Sequence, residues 1–202
     1  MKVWVKICGV TRAEDAEVAV AAGADAIGVN FYPSSPRFCE AAAARAIVEA
    51  VAGRAIVYGL FVNESRERIS AVVSDIGVTG IQLHGDEPEE LARGWGLPLI
   101  RAIRAGARDE VRRALAMATG YRVLLDSPRG GGSGTAFDAT LVEGMDLAEA
   151  VVAGGLTPGN VSERIRLLRP WGVDVSSGVE AGPGVKDHLR VREFVSNAKS
   201  AR

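Results

Sequence analysis

A closed (β/α)8 barrel, the TIM-barrel member of the α/β class, is the fold the sequence predicts, and three observations predict it. Short apolar runs alternate with helical stretches from one end of the chain to the other. Eight runs read as strands, at 3–8, 24–30, 55–62, 80–84, 98–103, 121–126, 147–153 and 173–177. Several are apolar on both faces, as in Ala55-Ile56-Val57-Tyr58-Gly59-Leu60-Phe61-Val62, the pattern of parallel strands covered by helices. Eight units in 202 residues leave about 25 residues each, near the lower size limit of such a barrel. A doubly wound open sheet uses the same repeats but would normally carry Gly-x-Gly-x-x-Gly after its first strand. Cys8-Gly9-Val10-Thr11-Arg12 does not supply it. No stretch reads as a linker, so 1–202 is expected to form a single domain.

The helices follow in order. Thr11-Arg12-Ala13-Glu14 has the form of a capping box, and Gly23 is a plausible stop. The second helix, 40–51, is mostly Ala and Val and should pack closely on the sheet. Asn63 is expected to cap a helix through about Ser74, and Asp86 with Pro88 to open the next. Further helices are expected at 107–118, at 159–168 behind Thr157-Pro158, and at 186–198. A glycine-rich piece, 130–134, follows the sixth strand.

Composition narrows the function. Lys and Arg total 24 against 25 Asp and Glu, a net charge of −1, so no basic face for nucleic acid is expected. No apolar run approaches the roughly 20 residues of a membrane span, and Met1-Lys2-Val3-Trp4 does not begin a signal peptide. Two cysteines, Cys8 and Cys39, cannot staple a fold, which points to a reducing, cytoplasmic setting. His84 and His188 are too far apart in sequence to start a metal site, and no metal is expected. His188 is expected on a solvated helix face.

Barrel enzymes work at the C-terminal ends of their strands. The polar residues there are few. Gly154-Gly155 and Ser177-Gly178 occupy the loops after strands seven and eight, where barrels often bind phosphate through backbone N–H groups. Either pair alone reads as a turn; two in adjacent loops read as a phosphate site. Cys8 is a buried hydrophobe or a reactive thiol, and its place opposite Asp126 favours the thiol. Asp126 ends the apolar run Val123-Leu124-Leu125 and is a candidate acid or a turn cap. His84 ends strand four as a polar residue at the mouth. Alternation turns Lys6 inward with Cys8, and a pair with Asp174 of the adjoining last strand would avoid two lone buried charges. A structural role for that pair and a substrate contact are equally compatible with the sequence.

These residues lie in stretches that resemble the phosphoribosylanthranilate isomerase family. They are Lys6-Ile7-Cys8-Gly9-Val10-Thr11, Ser35-Pro36-Arg37, Gly59-Leu60-Phe61-Val62-Asn63 and Gln82-Leu83-His84-Gly85-Asp86-Glu87. Further along come Gly131-Gly132-Ser133-Gly134 with Phe137-Asp138, Ala153-Gly154-Gly155-Leu156 with Asn160-Val161, Asp174-Val175-Ser176-Ser177-Gly178-Val179-Glu180 and Pro183-Gly184-Val185-Lys186-Asp187. The resemblance implies a small-molecule phosphosugar substrate, an Amadori rearrangement and no cofactor. It also implies a general base at Cys8, a general acid at Asp126, an anthranilate-carboxylate contact at Arg37, a sugar contact at Asp174 and phosphate contacts at Gly154, Gly155, Ser177 and Gly178, with His84 at the substrate. The chain departs from the family at Ala136, where a basic residue is common, and at Ala139, where an aromatic often stands. A free thiol titrates near 8.5 and a free Asp near 3.9, so holding thiolate and neutral acid together costs about 6 kcal/mol. Substrate binding is expected to supply much of it. A ribulose-phosphate epimerase would want several metal-ligating His and Asp at the strand ends. A mere binding barrel would need no thiol–carboxyl pair. A bifunctional barrel acting also in histidine synthesis would typically use two Asp, whereas strand one ends in Cys8. The assembly expected is a monomer or homodimer.

Overall fold

Eight parallel strands close on themselves in sequence order in the computed structural model, which describes residues 2–127 and 137–201. They are β1 (Trp4–Ile7), β2 (Ala26–Asn30), β3 (Ile56–Phe61), β4 (Gly80–Leu83), β5 (Leu99–Arg104), β6 (Arg122–Asp126), β7 (Ala150–Val152) and β8 (Gly172–Val175). Strand β1 pairs with β8, and that register sets Trp4 beside Gly172 and Lys6 beside Asp174. The predicted barrel is the observed one. The glycine-rich 130–134 piece and Ala136 lie outside the described residues.

Alternation sorts the side chains into two layers. Ala26, Tyr58, Ile100, Ala102, Leu124, Val151 and Ala153 fill the interior, above a floor of Trp4, Ile56 and Trp171. Trp4 stacks on Trp171 with centroids 4.8 Å apart and meets the edge of Tyr58. The rings fit because glycines stand beside them: a Cβ on Gly172 would lie 2.7 Å from Trp4, and one on Gly80 would lie 2.8 Å from Tyr58. The alternate positions, among them Val5, Ile7, Ile27, Val29, Val57, Ile81 and Leu83, face outward and are buried under the helices with Ile47, Ile69, Phe194 and Val195. Fully burying each such side chain contributes roughly 1.5–3 kcal/mol.

Six α-helices stand among the described residues, five between strands and one after the last: α1 (Ala13–Ala21), α2 (Ala41–Val51), α3 (Arg66–Ile76), α4 (Arg108–Met117), α5 (Val161–Leu168) and α6 (His188–Lys199). Several ends differ from expectation. Thr11 caps nothing; its hydroxyl donates to the carbonyl of Gly184, and α1 starts without a side-chain cap. Ser65, rather than Asn63, caps α3. Asn63 sits at φ 54° and accepts from the Asp86 N–H, which spends its side chain across the neighbouring loop. The helix expected from Asp86 is only a 3₁₀ turn, Glu89–Ala92, cut short by Gly94 and Gly96 at positive φ. Beyond Phe137, the β6–β7 connection likewise contributes a 3₁₀ turn, Ala139–Val142. After β8 a 3₁₀ turn, Ser177–Val179, leads into an unforeseen hairpin of β9 (Glu180–Gly182) and β10 (Val185–Lys186), so α6 begins later, capped by Asp187.

His188, expected on a solvated face, is half-exposed but engages a buried partner. Its Nε2 lies 2.8 Å from Oδ1 of Asp15, a fully buried carboxylate of α1. Asp15 also accepts from the Arg12 guanidinium and from the Lys186 backbone N–H. Burial pushes this carboxyl upward, but Arg12, the Lys186 amide and His188 outweigh it and hold it below the usual range. A carboxyl depressed by folding stabilises at pH values above its unfolded value and loses that contribution as pH falls through its folded value. Asp15→Asn is therefore expected to cost roughly 2 kcal/mol at neutral pH. Its deficit against the parent should shrink below about pH 4. Urea midpoints at both pH values measure the difference.

Candidate active site

Every inward position at the top of a strand contributes to one cleft. Its volume is about 330 Å³, and it is lined by Cys8, Arg37, His84, Asp126, Gly154, Gly155, Asp174, Ser177 and Gly178 together. All nine residues singled out in the sequence thus meet at the C-terminal rim. Parity explains it: Cys8 continues the inward row Trp4 and Lys6, Asp126 the row of Leu124, and Asp174 the row of Gly172.

Cys8 is buried, its N–H bonded to the Val175 carbonyl across the barrel seam. Burial pushes its thiol up, and Lys6 pulls it down. Lys6 itself is fully buried, with Nζ 3.0 Å from Asp174 Oδ1. Burial alone would drive Lys6 neutral, but Asp174 and Cys8 more than reverse this and keep it charged. The predicted inward pair is therefore present.

Asp126 is buried, and its Oδ1 accepts from the Ser127 N–H at 2.8 Å. Its Oδ2 lies 3.5 Å from His84 Nε2. Gln82 Nε2 is 2.9 Å from His84 Nδ1. The ring is thus held between the Gln82 amide and the Asp126 carboxyl.

Arg37 is held by a partner the sequence reading missed. Its Nε and Nη2 donate to Glu180 Oε1 and Oε2 at 2.9 and 2.8 Å. Glu180 is in turn bonded at 2.8 Å by the buried Lys186 ammonium. Burial pushes Glu180 up, yet Arg37 and Lys186 bring it below the usual range. The signal was available, since Glu180 and Lys186 stand in the matched stretches. Arg104 was also missed. It ends β5 beside Asp126, is exposed at the cleft rim, and has no ion-pair partner among the described residues. Its inward parity is the clue that would have found it.

The two glycine loops interlock. Gly154 and Gly155 adopt φ 83° and 64°, a region open to glycine. A Cβ on Gly178 would lie 1.9 Å from the Leu156 carbonyl oxygen, so only glycine lets the two loops touch. Among the described residues, three buried side-chain polar atoms lack a protein partner: Gln82 Oε1, Ser127 Oγ and Ser176 Oγ. All three stand at or just beyond the C-terminal ends of barrel strands. Buried polar groups are nearly always paired, so this concentration marks the rim as the place that receives a polar ligand.

A closed (β/α)8 barrel whose mouth gathers a thiol, carboxyls, an arginine and two glycine loops defines a class: a barrel enzyme of acid–base chemistry. The family model described as N-(5'-phosphoribosyl)anthranilate isomerase matches residues 5–197, and the chain belongs to that family. It is 47% identical to the N-(5'-phosphoribosyl)anthranilate isomerase of Myxococcus xanthus, covering 99% of this chain and 98% of the relative. Identity to the Pseudomonas aeruginosa LESB58 protein of that name is 45%, over 99% and 97%. Among solved structures, the Thermus thermophilus phosphoribosyl anthranilate isomerase superposes with TM-score 0.89 at 36% identity, covering 99% of this chain and 100% of that one. A phosphoribosyl anthranilate isomerase in complex with reduced 1-(o-carboxyphenylamino)-1-deoxyribulose 5-phosphate superposes at TM-score 0.85 and 40% identity, over 98% of both chains.

Glu180→Gln removes the charge that clamps Arg37. It is expected to raise KM for the family substrate by about tenfold, or 1.4 kcal/mol, with a smaller change in kcat. Steady-state kinetics of the purified variant check this.

Proposed function

We propose that Cys8 and Asp126 carry the family reaction as general base and general acid. That reaction is the isomerisation of N-(5'-phosphoribosyl)anthranilate in tryptophan biosynthesis, an Amadori rearrangement of an aminoaldose to 1-(2-carboxyphenylamino)-1-deoxyribulose 5-phosphate. The observation that carries the assignment is the shared cleft: the thiol and the carboxyl line one cavity from opposite sides of the strand order, β1 and β6. Asp126 Oδ2 gives its proton to the furanose ring oxygen, and the ring opens to an iminium. Cys8 then takes the C2 proton as thiolate, leaving an enolamine that tautomerises to the ketone. The iminium is the electron sink, so these steps run on side chains alone.

The remaining roles follow from charge and shape. Arg37, clamped by Glu180, turns its remaining guanidinium hydrogens to the anthranilate carboxylate. Backbone N–H groups of Gly154, Gly155, Ser177 and Gly178, with the Ser177 hydroxyl, take the phosphate. Asp174 contacts the sugar hydroxyls, and His84 holds Asp126 and the substrate edge. All these groups lie on one chain, so a monomer or a homodimer serves equally, with 1–202 acting as one catalytic domain. One solved relative consists of monomers generated from the dimeric phosphoribosylanthranilate isomerase of Thermotoga maritima. Both cysteines are free and buried, which supports a cytoplasmic setting. No described helix is long and apolar enough to cross a membrane.

Loss of phosphoribosylanthranilate fluorescence reads the assignment. Asp126→Asn is expected to abolish turnover while sparing binding, because an amide cannot supply the proton. Cys8→Ser should lose roughly 10²–10⁴-fold in kcat, since a hydroxyl is far less acidic than a thiol. Near-normal kcat in either variant removes that residue from its role. Arg37→Ala should chiefly raise KM, and an unchanged KM removes Arg37 from the carboxylate.

A further inference from the structure

The buried ammonium of Lys6 is not needed by the steps above. It lies in the barrel interior, wholly out of solvent, paired with one group that can carry negative charge and near a second. Asp174 Oδ1 is 3.0 Å from Nζ across the β1–β8 seam. The Cys8 side chain is the next inward one, just beyond β1, and ammonium and thiol are close enough for each to shift the other's charge. Room for the contact comes from Gly28 on β2: a Cβ there would lie 2.7 Å from Cys8 Sγ and 3.1 Å from Lys6 Cε. Sulfur and lysine therefore share one gap that any larger residue would close.

We infer that Lys6 is the counter-ion of the Cys8 thiolate, a positioning residue that shares one negative charge between sulfur and Asp174. The proton balance is closed. The Cys8 S–H proton passes to Lys6 as Lys6 passes one to Asp174 Oδ1. Thiol, ammonium and carboxylate become thiolate, ammonium and carboxylic acid. Net charge in the pocket does not change, so no bare ion is created in a low-dielectric interior. The inference deepens the proposed function and rests on Cys8 being its base.

The other charged groups around these three are consistent with this. Cys8 also faces Lys186 of β10 and Arg37, both cationic. Asp174 faces Asp126 of β6 and His84 beyond β4, and Lys6 faces Tyr58 of β3. Burial pushes both the thiol and the Asp174 carboxyl up, against the pull of Lys6. Whichever of the two keeps its proton, the other has the fully buried Lys6 ammonium as its partner.

The test reads Cys8 rather than turnover. Iodoacetamide alkylation is followed from pH 6 to 10, with peptide mass spectrometry separating Cys8 from Cys39. In Lys6→Met the Cys8 rate at pH 8 is expected to fall at least about tenfold, the equivalent of one pKa unit. In Asp174→Asn it is expected to rise by a similar factor, because the whole ammonium charge falls on sulfur and a competing anion is gone. A merely structural pair would move both variants the same way. The double variant Lys6→Met/Asp174→Asn, which leaves no unpaired buried charge, keeps the test alive should Lys6→Met not fold; it should alkylate as slowly as Lys6→Met. Parent-like alkylation without Lys6, or slower alkylation in Asp174→Asn, overturns the inference. Turnover of Cys8→Ala is measured separately: near-normal kcat there overturns the base assignment without touching the alkylation result.

Discussion

Strand β1 meets strand β8 at the seam where the sheet closes, and there Lys6 and Asp174 pair at 3.0 Å with almost no exposure to water. Removing one partner of such a pair leaves an uncompensated charge in the interior and typically costs 3–5 kcal/mol. The pair therefore constrains register as well as charge. A one-residue slip of β1 would turn Lys6 outward and take Cys8 out of the cleft. The closing contact of the barrel and the setting of the Cys8 sulfur are thus one interaction.

A second network ties the far side of the cleft to the outer wall. Arg37 is clamped by Glu180, Glu180 by Lys186, and the Lys186 amide by Asp15, which also holds Arg12 and His188. Loop, hairpin, first helix and last helix are linked through carboxylates that accept several donors each. Such fully paired networks are rigid where half-paired ones are costly. Arg37 is in this way positioned by residues on three further segments.

Much of this was legible in the chain. Apolar runs spaced about 25 residues apart announced the barrel, and alternation placed Lys6, Cys8 and Asp174 on the inside. All nine site residues proposed from sequence share one cleft. What could not be read was local competition for side chains. Asn63 looks like a cap but is engaged by the Asp86 amide, and Thr11 is drawn off by the Gly184 carbonyl. Asp86-Glu87-Pro88 looks like a helix start, but Glu87 is turned in to accept from Asn63 and Gly85, and two glycines follow. The partners of Glu180, Lys186 and His188 stayed hidden, because the hairpin that gathers them has no apolar alternation to reveal it.

The contact between Gly178 and the Leu156 carbonyl has one more consequence. With no space for even a methyl group between them, the two loops that would grip the phosphate cannot slide independently; they form a single stiff bracket. Adaptation to a substrate of different length must then come from the opposite edge of the mouth. That bracket is a fixed origin from which the rest of a bound molecule would be measured out.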